Sequence, residues 1–415
     1  MLDQSNTHDA SGDGNLDSGG TLYIFDGKKL AGKAVHKANP EIIPLGGAIS
    51  DWIIDETGSA PVRPHYITFN PSHTHAIISF VATGHVLIIE AATGLPVFVV
   101  DVGTQAHAAV PSPDETYILV ANQNGKLLQR INTDYAANLF ELDEDATLDL
   151  ADDLLTPGGF LKQDDGVSQI GVRSDTAPIL ALPDATSTLA FVTLRGGGLF
   201  VVDPRATPME IVAEYSLATI APAGLLAIQA GDKLYFNSGG GGGAELGHQA
   251  ILYSLPVSAF TIEPNTTPDT PAPTVVFDHS DRPIKDSHGL MLTRRERYLW
   301  VADRAANTVV VVDTTTDAVV NEISLAGPVS PDPAPDLLVP APVGNRAYAT
   351  LRGPNPLTGN NPVVNNAQGQ TPGLGVIRIE QGGRSGTLHG LFHISNLDGL
   401  GVERADPHGI AVRQY

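Results

Sequence analysis

Short runs rich in Val, Ile, Leu, Tyr and Phe recur along this chain between Gly, Asn, Asp and Pro turns. Four of them open on a histidine: Pro64-His65-Tyr66-Ile67, Ala106-His107-Ala108-Ala109, Ser287-His288-Gly289-Leu290 and Pro407-His408-Gly409-Ile410. Runs of this length and composition form strands, because β-branched and aromatic side chains suit a pleated surface and the turn residues interrupt any helical period. Weaker copies of the unit start at Pro178, Gly224 and Asp336. The equivalent positions are then 65, 107, 178, 224, 288, 336 and 408, at spacings of 42, 71, 46, 64, 48 and 72 residues. Three spacings match the roughly 40 to 50 residues of a four-stranded propeller blade. The other three leave room for insertions, placed at 141–153, 239–274 and 353–373.

Only GIAVRQY follows His408, and one strand cannot make a blade. The segment TLYIFDGKKLAGKAVHK (21–37) offers the missing outer strands, and joining both termini in one blade leaves no open sheet edge. The expected fold is all-β: a seven-bladed β-propeller forming a single domain over residues 21–415. Eight blades result if 40–60 hides a degenerate one. Residues 1–20, rich in Gly, Ser and Asp, read as a flexible polar tail.

Acidic residues number 46 against 24 basic ones, a formal charge of -22. Phosphate binding needs a cationic stripe, so nucleic acid is not an expected partner. There is no cysteine, which removes disulfides, thiolate ligands and cysteine nucleophiles together. No apolar run reaches the roughly 18 to 20 residues that cross a bilayer as a helix. No leader peptide is legible, so an exported form would have lost it. No Gly-x-Ser-x-Gly elbow supports an acyl-transfer hydrolase.

In a propeller the first strand of each blade lines the central channel. The repeat therefore predicts His65, His107, His288 and His408 on one face, joined by His85 from the Thr83-Gly84-His85 turn. The blades of His408, His65 and His107 are consecutive, so these three with His85 form the first-ranked set for one ion. His288 from the fifth blade, beside Asp286, and Asp336 from the sixth would join through a central metal or a second site. A lone histidine at a strand start is usually structural, but four at one repeat position meet no general need of the fold. Imidazoles with one carboxylate suit Zn(II) or another late first-row divalent ion. Such a site is expected to weaken steeply below about pH 6, because imidazoles must lose protons to coordinate. Arg195, Asp303, Arg304 and Arg352 fall in turns on the same face, where ion pairs are expected. His36, His248, His279, His389 and His393 follow no repeat and read as ordinary residues.

The wording SPDE-turn-strand and NTVVVVDTTTDAVV resembles the YVTN or surface-layer type of propeller, which speaks to fold and little else. The segments RPHYITFNPSHTHAIISFVATGHVLI, QAHAAVPSPDETYILVANQNGKLLQRI, DSHGLMLTRRERYLWVADRAANT, LRGPNPLTGNNPVVNNAQGQTPGLGVI and ADPHGIAVR together resemble the AztD-type periplasmic zinc metallochaperones, over most of 63–415. That resemblance implies zinc, a periplasmic location, and delivery to the solute-binding protein of an ABC importer. It also implies a tail rich in His and Asp, whereas this tail holds a single histidine, His8. The expectation is a monomeric binding protein instead of an enzyme. A metal-dependent propeller enzyme (oxygenase or lyase) and a metal-free interaction scaffold are the alternatives.

Overall fold

The computed structural model describes residues 1–32, 34–151, 175–239, 249–263, 271–356 and 368–414. Its strands make seven antiparallel sheets, and the fold is an all-β, seven-bladed β-propeller. Blades one to six span 64–101, 106–149, 178–215, 224–278, 287–324 and 335–393, each a four-stranded meander. The seventh sheet contains Leu2–Asp3, Thr21–Ile24 and Glu41–Pro44. Among the described residues there is one α-helix, Ala48–Thr57. No helix of the described residues is long and apolar enough to cross a membrane.

The two chain ends meet in that seventh sheet. Leu2 N–H donates to the Gly409 carbonyl at 2.7 Å, His408 N–H to Leu2 at 3.0 Å, and Gln4 N–H to Asp406 at 3.1 Å. The joining of termini follows the sequence expectation, but its parts differ. Paired strands begin at Leu2, not at residue 21, and Met1 to Ser5 are buried. Within 21–37 only Thr21–Ile24 is a strand, and the third strand is Glu41–Pro44. Residues 40–60 hold that strand and the helix, so they hide no eighth blade.

The proposed insertions also contain blade strands. The acidic stretch from 141 is mostly the outer strand Leu139–Asp149 of blade two, its acidic side chains exposed or half-buried at the edge. The segment 239–274 contains the third strand of blade four, Ala250–Pro256. The remainders 152–153, 240–248, 264–270 and 357–367 lie outside the described residues.

The chain forms two compact units. One comprises Met1–Ile67, Phe80–Ala82 and Pro283–Tyr415; the other comprises Thr68–Ser79 and Thr83–Arg282. In the first, Met291, Trp300, Val309, Val311, Leu338, Ala349 and Ile377 pack blades five and six together, and the Trp300 indole N–H reaches the Gly383 carbonyl at 2.7 Å. In the second, Leu119, Leu128, Val192, Leu194 and Phe200 join blades two and three. Each fully buried aliphatic or aromatic side chain of this kind contributes about 1.5–3 kcal/mol, which is how a chain without disulfides holds its blades.

One backbone hydrogen bond recurs in every blade. The residue that ends or follows the second strand donates its N–H to a carbonyl just ahead of the first strand or at its start: Val81 to Arg63, Gln123 to Gln105, Arg195 to Ala177, Gly239 to Ala223, Arg304 to Asp286, Arg352 to Ala334 and Gln4 to Asp406. Two residues beyond each acceptor stand His65, His107, Ile179, Leu225, His288, Asp336 and His408. The true repeat position in blades three and four is therefore Ile179 and Leu225, one residue later than the sequence alignment put it.

Candidate metal centre

That repeat position begins a bulge. In blade five the register steps from Ser287↔Asp303 to Leu290↔Val301, and in blade six from Pro335↔Leu351 to Leu338↔Ala349. His107 is skipped in the same way between Ala106↔Asn122 and Ala108↔Ala121. A bulge leaves its residue out of the ladder and re-aims its side chain. Glycine follows two of the histidines because neighbouring first strands come close there. A Cβ on Gly289 would lie 2.2 Å from the Asp336 carbonyl oxygen, and one on Gly409 would lie 2.6 Å from that of His65.

In the first unit these positions converge. His288 Nδ1 lies 2.9 Å from Asp336 Oδ1, and His408 Nε2 lies 3.5 Å from Asp336 Oδ2. The His65 and His408 rings stack with centroids 3.7 Å apart, and His288 meets His408 edge-on at 5.5 Å. All four side chains are buried. His288, Asp336 and His408 each offer a donor atom, the three atoms lie within 4.8 Å of one another, and the group could hold a metal ion.

The hydrogen bonds set the tautomers. His408 Nδ1 faces the His65 carbonyl oxygen at 3.0 Å, and a carbonyl only accepts, so Nδ1 carries the proton. In the neutral ring, Nε2 then presents its lone pair to an Asp336 oxygen that is also an acceptor. His65 Nδ1 likewise donates to Gln4 Oε1 at 2.6 Å, while Gln4 Nε2 donates to Asp406 Oδ2 at 3.0 Å. An imidazole that gives Nδ1–H to an oxygen and keeps Nε2 for coordination is the usual state of a metal-ligating histidine.

A chain of ion pairs runs behind the imidazoles. Arg304 grips Asp286 through Nε at 2.9 Å and Nη2 at 3.1 Å, and reaches Asp336 Oδ1 through Nη1 at 3.1 Å. Arg352 donates from Nη1 to Asp336 Oδ2 at 2.7 Å, and from Nε and Nη2 to Asp406 at 2.5 and 2.8 Å. Burial disfavours the Asp336 carboxylate, and its pKa is nonetheless held well below the usual range: His408 and His288 would contribute only when protonated, and with those rings neutral the guanidiniums of Arg352 and Arg304 keep the acid ionised. Burial drives His408 well below the ordinary imidazole value; Asp336 opposes that, while Arg352, His288 and Arg304 reinforce it. His288 is lowered for the same leading reason, with Arg304 adding and Asp336 opposing. The site therefore holds neutral imidazoles beside an ionised carboxylate, a donor set that suits a divalent ion of borderline softness.

The foursome ranked first from sequence is not the group that the structure gathers in this unit. His288 and Asp336, ranked behind it, stand with His408 and His65, because Asp336 of the sixth blade bridges the fifth and the seventh. His85 and His107 belong to the second unit. His85 is fully buried, its Nδ1 2.9 Å from Thr83 Oγ1, and burial lowers its pKa against the pull of Asp101. His107 is half-buried and donates Nδ1–H to the Ile179 carbonyl at 2.9 Å. Arg304 and Arg352 form the ion pairs expected of that face. Gln4 and Asp406 escaped the sequence reading. The repeated wording Asp286-Ser287-His288-Gly289 and Asp406-Pro407-His408-Gly409 was the available signal for Asp406. His248 lies outside the described residues.

No family model matches this sequence, and no curated protein matches it. Among solved structures it is similar to the periplasmic gluconolactonase PpgL of Pseudomonas aeruginosa, with a TM-score of 0.53 and 15% identity over 92% of this chain and 93% of that one. It also matches a chain of a mitotic checkpoint complex at a TM-score of 0.48, with 10% identity over 84% and 83% of the two chains. A third match is the β-propeller domain of Myceliophteria thermophila Cps50 (Swd1), at 0.41 and 12% identity over 69% and 93%. At these identities the first similarity speaks to the propeller fold alone.

Proposed function

We propose that this propeller is a zinc-binding carrier that holds its ion between His288, Asp336 and His408. The observation that carries the reading is the His408 Nε2 lone pair set 3.5 Å from an Asp336 carboxylate oxygen. Two acceptors buried face to face repel unless a cation or proton stands between them. Burial disfavours the imidazolium, which leaves a metal cation as the partner that fits. Two imidazoles and one carboxylate are a common zinc set.

The carrier role, the periplasmic location and the acceptor, a solute-binding protein of an ABC importer, rest on the resemblance to AztD-type chaperones. A monomer with no nucleic-acid or membrane partner completes the proposal. Metal analysis of zinc-loaded protein should give about one tightly held ion per chain, as a single-ion donor set requires. The double variant His288→Ala, His408→Ala should lose that ion while circular dichroism stays that of the wild type. Wild-type protein that takes up no zinc sinks the reading. For the carrier role, the stopped-flow transfer rate should rise with acceptor concentration, as contact-dependent exchange does. A rate that stays flat and equals spontaneous zinc release would leave a zinc-binding protein that delivers nothing.

A further inference from the structure

Asp336 is the one carboxylate of the ligand group, and both of its oxygens are already engaged. Arg304 Nη1 is on Oδ1 at 3.1 Å and Arg352 Nη1 on Oδ2 at 2.7 Å. Both guanidiniums are buried, and each is anchored by a second acid, Arg304 on Asp286 and Arg352 on Asp406. A fixed resident ion has no need of this. A buried carboxylate that only ever serves a metal is better left without cations that compete for its lone pairs and repel the ion.

We propose that Arg304 and Arg352 are a built-in counterion for the empty site, set to take over Asp336 when metal leaves and so to keep the ion exchangeable. The inference rests on the metal reading given above and deepens it. Without the arginines, release would strand an ionised carboxylate in a dry interior, an outcome costly enough to hold the ion in place. With them, each of the three carboxylates of the empty cluster keeps a guanidinium contact, and three acids against two guanidiniums leave one net negative charge for the ion to neutralise. The anchoring by Asp286 and Asp406 keeps the guanidiniums from swinging away when Asp336 turns to ligand duty. They are positioning residues: they act on the ion through Asp336.

A residue with only a structural role would weaken folding and binding together when removed. A counterion competing with the metal does the opposite to binding. The test is the double variant Asp286→Asn, Arg304→Gln, which removes one guanidinium together with its anchor and leaves Asp336 paired with Arg352. Zinc dissociation constants are measured by competition with a chromophoric chelator, release rates by stopped flow, and thermal midpoints on zinc-free protein. The expected result is a lower zinc-free midpoint with zinc affinity raised by about tenfold or more and release slowed in step: the local net charge is unchanged, but the guanidinium that competes with the ion for Asp336 Oδ1 is gone. Arg304→Lys, a milder change whose ammonium cannot span both acids, should move the same quantities in the same directions by less, and it serves should the double variant fail to fold. Wild-type protein that binds zinc, with affinity unchanged or lowered in the folded variant, overturns this inference alone. Wild-type protein that binds none overturns the metal reading and this inference with it.

Discussion

The imidazole of His408 lies face to face with that of His65, centroids 3.7 Å apart and planes 24° from parallel, while its Nδ1–H donates to the His65 carbonyl. The backbone of one blade thus sets the tautomer of a candidate ligand on its neighbour, and the side chain above it fixes the tilt of the ring. His65 itself spends Nδ1–H on Gln4. In this arrangement it supports the centre from one side.

His65→Phe should therefore keep the stack and the zinc, whereas His65→Ala should lose stacking worth about 0.5–1.5 kcal/mol. Zinc stoichiometry and thermal midpoints of both variants check this. Loss of the ion from His65→Phe would make His65 a ligand and end its role as a packing partner.

Asp336→Ala should be the most damaging single change at the centre. It strands the buried guanidiniums of Arg304 and Arg352 without their shared carboxylate. Breaking a buried ion pair from one side costs about 3–5 kcal/mol. Urea unfolding of zinc-free protein measures it, and a loss below 1 kcal/mol would show that the two outer acids suffice.

Acid should act on stability before it acts on zinc. The imidazoles of His408 and His288 sit below their unfolded value of 6.5, so between that value and the folded ones the unfolded chain binds more protons. Their contribution is complete above pH 6.5 and is lost as pH falls toward the folded values. Asp336, also depressed, adds a further loss as pH drops below 3.8. For the same reason proton competition for the zinc ligands sets in later than the onset near pH 6 that exposed histidines would give. Chelator competition at pH 7.5 and 6.0 should yield nearly equal affinities, and a steep drop between them would mean that the ligands are solvated.

Gln4→Ala removes two buried hydrogen bonds, to His65 and to Asp406, and should cost about 1–3 kcal/mol. Asn15→Ala, on the exposed loop of the same segment, should stay within about 0.5 kcal/mol. Equal small effects would mean that the first strand is expendable.

The propeller was legible because its signal is additive: seven copies of one strand grammar survive the loss of detail in any single copy. The first four ligand-type residues at the repeat position were legible for the same reason. What the repeat concealed was distance. Ranking His65, His85, His107 and His408 together used blade order alone, and gave no weight to Asp336 as the bridge between His288 and His408. The slip of one residue at Ile179 and Leu225 arose because a bulge is invisible in an apolar run. Gln4 was hidden more deeply, since Leu2–Asp3 is a two-residue strand inside a polar segment and one of its two partners lies near the other end of the chain, at Pro407.

That pairing also orders events in the life of the polypeptide. Gln4 and Asp406 are separated by 402 positions, yet they share a hydrogen bond at the centre. Leu2–Asp3 can pair locally with Thr21–Ile24, but its bonds to Asp406, His408 and Gly409 wait until the six blades between have been made. Blades five and six can pack beforehand, since His408 and the backbone that seats it follow them in the chain. A chain cut short before that point has blades but lacks one corner of the candidate metal group, so under the proposed function zinc uptake would report how much of the protein carries His408.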